Sequence, residues 1–200
     1  MTPLKRLRII TWTVSGLLVV AVALVLYWGD GRALPVSARV TVSRPFTLVD
    51  QRGATVTEAP LKGHPSALFF GYTYCPDVCP TTLSDLTGWL QKLGRNGDKL
   101  KVYFVTVDPE RDTREQLAAY LQAFDPRIIG LTGTRAAIDQ ILKEYGVYSR
   151  KVPLDGGGYS MDHSAAIYLL DRDAMLSGTV DYTEAPDKAL AKLTSLVAAD

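Results

Sequence analysis

Residues 67–82, ALFFGYTYCPDVCPTT, decide how the rest of the chain is read. Ala67 to Tyr72 is a continuous apolar run suited to a buried strand. The chain's only two cysteines, Cys75 and Cys79, follow at C-x3-C spacing, each with a proline directly after it. Leu83, Leu86, Leu90 and Leu93 then recur at helical spacing, with Pro80 suited to the first helical position and Gly94 to the end. The segment runs from strand to cysteine pair to helix within about two dozen residues.

The same alternation continues outward. Pro45 to Asp50 and Thr55 to Glu58 read as a strand pair around the turn Gln51-Arg52-Gly53, and Lys101 to Val107 is again strand-like. Leu117, Tyr120, Leu121 and Phe124 mark a helix stopped by Asp125-Pro126, which Asp112 is placed to cap. Ile138, Ile141, Leu142 and Tyr145 mark another, stopped by Gly146, with a short strand from Ile128 to Leu131 between the two. Arg150 to Asp162, centred on Gly156-Gly157-Gly158, reads as a loop; strands at Ala165 to Leu170 and Thr179 to Tyr182 and a helix from Asp187 to Val197 complete the chain. Strands alternating with such helices predict βαβ units in an α/β sheet, and the order strand, cysteine pair, helix is thioredoxin-like. Functional groups in such sheets gather where strands end. Three places qualify: Cys75 to Cys79, Asp108-Pro109-Glu110-Arg111-Asp112, and His163 just ahead of a strand.

Lys and Arg number 22 against 21 Asp and Glu, so no basic excess exists to neutralise phosphates, and nucleic acid is not an expected partner. The N-terminus differs in kind. Ile9 to Trp28 carries no charge, and at about 1.5 Å per residue a helix of that length spans a hydrocarbon core of about 30 Å. Tyr27 and Trp28 suit the membrane interface, and Lys5, Arg6 and Arg8 keep the preceding end in the cytoplasm. A cleaved signal peptide is the competing reading, with Val36-Ser37-Ala38 as its site, but that site lies far past the apolar run. The expected organisation is 1–8 cytoplasmic, 9–28 a single transmembrane helix, 29–44 a tether and 45–200 a thioredoxin-like domain outside the cytoplasm. The absence of a long Arg- and Ser-rich transit sequence favours a bacterial inner membrane, with the domain in the periplasm.

Two cysteines in an oxidising compartment ordinarily form a structural disulfide, yet a bridge between residues four apart closes a loop too small to stabilise much. Chemistry fits the position better, because a helix N-terminus stabilises thiolate, the form that acts as nucleophile and metal ligand; Cys79 is the residue at that end. Redox motifs are usually C-x-x-C, and the extra residue lets both sulfurs face a third group. Two thiolates and one imidazole suit copper. Of the two histidines, His64 reads as a solvated turn residue, leaving His163 in Asp162-His163-Ser164 as the candidate. Met161 offers a thioether, although alternation along a strand edge accounts for it equally well. Zinc normally takes four protein ligands and would need Asp77 or Asp108 as the fourth.

The motifs FGYTYCPDVCPTTL, FVTVDPERDT and MDHSAAIYLLD, in this order, resemble the Sco/SenC family of membrane-anchored copper chaperones, and the likeness runs from about Phe46 to the last helix. The resemblance implies a thioredoxin-like fold that holds copper, as Cu(I), Cu(II) or both, on Cys75, Cys79 and His163. It also implies a role in assembling the binuclear copper centre of cytochrome c oxidase, with subunit II as acceptor and a periplasmic copper donor or thiol reductant as further partner. Asp77 and Asp108 match family positions and are candidates to support the ligands. The chain departs from the common family wording at His64, where lysine is more usual, and at Ala174, where the turn often has glycine.

Joining Cys75 and Cys79 in a disulfide would remove two ligands at once, so metal loading would follow redox state, and the Gly156 to Gly158 loop would let His163 swing in with the metal. One rival is a thiol-disulfide reductase acting on the oxidase subunit's cysteines. Ordinary thioredoxins place a cis-proline before the strand facing the cysteines, whereas this chain has His163 there and its nearest preceding proline at Pro153. Another is a redox or copper sensor that signals through the anchor.

Overall fold

The computed structural model describes residues 45–199 and, ahead of them, Lys5, Trp12, Thr13, Ser15, Gly16, Leu18 and Val20, each in helical conformation. The expected anchor at 9–28 otherwise lies outside the described residues, as does the whole of the tether at 29–44. Among the described residues no helix is long and apolar enough to cross a membrane.

The folded unit carries strands β1 (Thr47–Asp50), β2 (Thr55–Thr57), β3 (Ser66–Gly71), β4 (Lys101–Thr106), β5 (Ile128–Thr132), β6 (Ser149–Pro153), β7 (Tyr159–His163), β8 (Ile167–Leu170) and β9 (Leu176–Val180). Its helices are α1 (Val78–Leu93), α2 (Arg114–Leu121), α3 (Arg135–Glu144) and α4 (Pro186–Ala198). Seven strands form one mixed sheet in the order β2-β1-β5-β4-β3-β8-β9. β3 is an interior strand, parallel to β4 and antiparallel to β8, and all six of its residues are buried. A strand covered on both faces must be apolar throughout, which is why 67–72 shows no alternation. Phe69, Phe70 and Phe104 are among the largest fully buried side chains, and the Phe69 and Phe104 rings lie 5.8 Å apart. The α/β, thioredoxin-like expectation is met.

The register brings the three singled-out places together. β3 and β4 run in parallel and end level at Gly71 and Thr106, so the cysteine segment and the Asp108 segment leave the same edge of the sheet. β8 runs the other way, with Ile167 opposite Phe69, so the chain entering β8 arrives at that edge too.

Several local readings change. α1 begins at Val78, not at Pro80, because a proline anywhere in the first turn sacrifices only an N–H that has no intrahelical acceptor. Cys79 therefore lies inside the first turn of the helix. Thr113, not Asp112, caps α2 by accepting from the Gln116 N–H at 3.2 Å. The segment 150–162 is no open loop: β6 and β7 pair antiparallel from Ser149 opposite His163 to Pro153 opposite Tyr159. Gly157 and Gly158, at φ +86° and +79°, make the turn between them. His163 ends this hairpin instead of directly preceding β8.

Ala174 is the one described non-glycine residue with positive φ, at +58°. It closes the Asp171–Met175 turn, in which the Asp171 carboxylate accepts from the Asp173 and Met175 N–H groups. A Cβ in this left-handed conformation is strained, which gives a physical reason for glycine at this position. The Ala174 methyl is also fully buried, so on Ala174→Gly relief of the strain is offset by loss of that burial, and the urea midpoint is expected to move by the equivalent of less than about 1 kcal/mol at unchanged slope.

Candidate metal centre

Cys75, Cys79 and His163 meet at the edge of the sheet where β3 ends, with their ligand atoms all within 4.8 Å of one another. Cys79 is fully buried, Cys75 and His163 half-buried. The Cys79 Sγ stands 3.6 Å from His163 Nε2. The other imidazole nitrogen, Nδ1, is 2.9 Å from the Ser164 carbonyl oxygen, which can only accept. Nδ1 therefore carries the proton in the neutral ring, and the Nε2 lone pair faces the sulfurs as a metal ligand requires. The Tyr72 ring meets the imidazole edge to face at 5.7 Å and holds its plane. Three soft or borderline donors this close need only a small inward movement to share one ion at bonds of about 2.0–2.3 Å.

The two sulfurs are not equivalent. The Cys79 thiol and its backbone N–H, the latter 3.4 Å away, both donate to Cys75 Sγ, and together with the Asp77 N–H they pull Cys75 down to about 3 against the opposing effect of burial. Cys79 moves up, because its proton is held by the Cys75 thiolate and its sulfur is buried. The helix N-terminus thus stabilises a thiolate on Cys75, not on Cys79. Both cysteines are free of a disulfide.

The supporting residues fall into two groups, one of them invisible to motif reading. Asp77 is exposed and its carboxylate takes a long 3.5 Å bond from the Thr81 hydroxyl; it serves Cys75 through its main-chain N–H instead. Asp108 is fully buried, its carboxylate accepting from Arg111 Nε at 2.5 Å and from the Tyr159 hydroxyl at 2.9 Å. Asp112, also fully buried, accepts from the Thr73 N–H, the Thr73 hydroxyl and the Thr106 hydroxyl, and so pins the start of the cysteine loop to β4. Burial pushes the Asp112 carboxyl up and these donated bonds oppose the shift. Met161 is buried in the core, and His64 is exposed at the opposite end of β3. Gly71 went unrecognised: a Cβ there would stand 2.9 Å from Cys79 Sγ and 2.7 Å from the Phe104 ring. Arg111 and Tyr159 went unrecognised as well, since their mutual contacts join positions 48 residues apart.

Fold and site together define a thioredoxin-like domain that gathers two thiols and an imidazole at one strand end. The chain belongs to the SCO1/SenC family, whose model matches residues 36–198. It is 37% identical over 137 residues to an SCO2-like protein of Rickettsia prowazekii, covering 68% of this chain and 67% of that one. It spans less than half of two mitochondrial SCO1 homologues of Arabidopsis thaliana, 41% and 48% of their lengths. Among solved structures it resembles Bradyrhizobium japonicum ScoI with copper bound, at 45% identity and TM-score 0.72, covering 77% of this chain and 98% of that one. Yeast Sco1 with copper bound matches at 35% identity and TM-score 0.72, covering 79% and 89%.

Reduced, metal-free protein should react with iodoacetamide at Cys75 and spare Cys79. The Cys75 rate should stay nearly level from pH 8 down to about pH 4, where an ordinary thiol loses about tenfold per pH unit; equal labelling of both cysteines by mass spectrometry would contradict the assignment. Gly71→Ala should cost about 1–3 kcal/mol of stability through overpacking and return the Cys75 pH profile toward that of an ordinary thiol, because it displaces the Cys79 sulfur.

Proposed function

We propose that this protein is a copper chaperone that binds one copper ion on Cys75, Cys79 and His163 and serves the binuclear copper centre of cytochrome c oxidase. The observation that carries the reading is the convergence of these three side chains, with Nε2 and both sulfurs facing a common point. Two thiolates select Cu(I), and the added imidazole also suits Cu(II). Three ligands leave one side open, so the ion can pass to an acceptor by ligand exchange, and copper-bound structures of two family members support copper as the cargo. Cys75 accepts copper as a thiolate, while Cys79 gives up its proton when the metal takes that proton's place between the sulfurs.

In the same reading residues 9–28 anchor the chain in a bacterial inner membrane, residues 29–44 lift it off the bilayer, and the domain at 45–200 works in the periplasm. Its acceptor is subunit II of the oxidase, and a periplasmic copper donor or thiol reductant keeps it supplied.

A second reading, thiol-disulfide reductase, draws on the half-exposed Cys75 thiolate beside a protonated Cys79, the arrangement of an attacking and a resolving thiol. Attack of the Cys75 thiolate on a partner disulfide would give a mixed disulfide and release one partner thiolate. Attack by Cys79 would then free the second and leave a Cys75–Cys79 bond, two electrons having passed to the partner.

The full-length reduced chain, titrated with copper, should bind one equivalent and show a thiolate-to-Cu(II) absorption. Cys75→Ser or Cys79→Ser should abolish that band, and His163→Ala should shift it and weaken binding roughly 10–100-fold. Binding indifferent to His163→Ala, together with thioredoxin-like turnover of a generic disulfide, would reject the chaperone reading in favour of the reductase.

A further inference from the structure

His163 stands on a hairpin that forms a two-stranded sheet of its own, without a backbone ladder to the seven-stranded sheet that holds the cysteines. An isolated two-stranded hairpin is marginal in water, so side chains must fix the imidazole relative to the two sulfurs. β7 alternates, with Tyr159, Met161 and His163 on one face, and Met161 is buried in the core. Tyr159 is held at the far end of that face. Its hydroxyl donates to buried Asp108 at 2.9 Å, and its carbonyl accepts from Arg111 Nη1 at 2.9 Å. The same guanidinium donates through Nε to Asp108 and lies 3.8 Å from the Tyr159 ring centroid. One buried carboxylate, one guanidinium and one phenol thus close a ring of contacts between the loop after β4 and the hairpin. The guanidinium also lies 4.8 Å from the ring centroid of Tyr74, the residue before Cys75. Lys151 on β6 adds an exposed ion pair to Glu110.

We propose that Tyr159 and Arg111 are positioning residues for the third ligand: the Asp108–Arg111–Tyr159 clasp sets the height of the hairpin over the sheet and thereby keeps His163 Nε2 within reach of Cys79. The inference rests on His163 being a copper ligand, as proposed above. Within the clasp the Tyr159 hydroxyl ties only the hairpin to Asp108, so its loss leaves both sulfurs in place and takes away the imidazole. Its effect on copper therefore runs through His163 and vanishes when His163 is gone.

The test is a double-mutant cycle on the full-length protein, with Cu(I) affinity measured by chelator competition for wild type, Tyr159→Phe, His163→Ala and the double variant, joined to amide exchange of residues 149–163 in metal-free protein. Tyr159→Phe keeps the stacked ring and removes only the hydroxyl. It should weaken copper binding roughly tenfold, as loss of a partner behind a ligand does, and speed exchange in the hairpin while α1 exchanges as before. In the His163→Ala background the same substitution should change affinity less than twofold. A loss of equal size with and without His163, or wild-type affinity with unchanged hairpin exchange, would overturn the clasp. If Tyr159→Phe fails to fold, Arg111→Lys, which keeps the charge and loses the forked donation, carries the same expectations. Should His163→Ala bind copper like wild type, the ligand assignment falls, and the exchange data alone then decide whether the clasp holds the hairpin.

Discussion

The candidate metal centre depends on an atom that is absent. Gly71 ends β3 without a Cβ, and Cys79 Sγ occupies the space that Cβ would need, within 2.9 Å of where it would stand. Because the sulfur can approach that closely, the first turn of α1 seats directly on the end of β3. The Cys79 N–H then falls 3.4 Å from Cys75 Sγ. A single strand end thus receives a buried thiol, a half-exposed thiolate and a helix N-terminus in one compact arrangement. Asp112 secures the approach to it, since three hydroxyl and amide donors from Thr73 and Thr106 converge on its carboxylate and tie the cysteine loop to β4.

That geometry splits the two thiols electrostatically. One proton lies between the sulfurs, held by Cys79 and donated to Cys75, and this is why the two shift in opposite directions. A metal ion bound by both sulfurs would take the place of that proton, and a disulfide would remove the need for it, so metal binding, protonation and oxidation would compete for the same pair of sulfurs. The competition is a property of the sulfur pair itself and holds whether the pair mainly carries copper or mainly exchanges electrons. His163 is what separates the two uses: an imidazole whose Nδ1 proton is committed to the Ser164 carbonyl presents a lone pair to the site, and a lone pair serves a metal.

The central part of this arrangement was legible in the sequence because it is local. A fully apolar strand, two cysteines and a leucine-spaced helix follow one another within 67–93, and each element announces its own period. The hairpin was not legible. Ser149–Pro153 and Tyr159–His163 lack clean apolar alternation, and Gly156-Gly157-Gly158 reads as a loop although two of its glycines supply the positive φ of a tight turn. Gly71 was hidden for the opposite reason, since one glycine in an apolar run carries no signal until its neighbours are known. Asp108 was noticed by its motif but not for its partners, because the Tyr159 hydroxyl it accepts from is 51 residues away.

The hairpin also changes how a movable ligand must be understood. A glycine-rich loop would let His163 wander, and capture by metal would then carry the full cost of ordering it. A hairpin held through Met161 in the core, Tyr72 against the imidazole and the ring of contacts at Tyr159 brings the imidazole preorganised instead. Any release of His163 must break contacts that can be named. Those at Tyr159 are the exposed end of the set: Arg111 and Tyr159 are each only half-buried, whereas Met161 is almost wholly enclosed. Tyr74, beside that end, is 55% exposed. On the proposed reading, opening the hairpin from the Tyr159 end would withdraw the imidazole while the two sulfurs stay fixed to the sheet, so a bound ion would lose its third ligand and keep the other two.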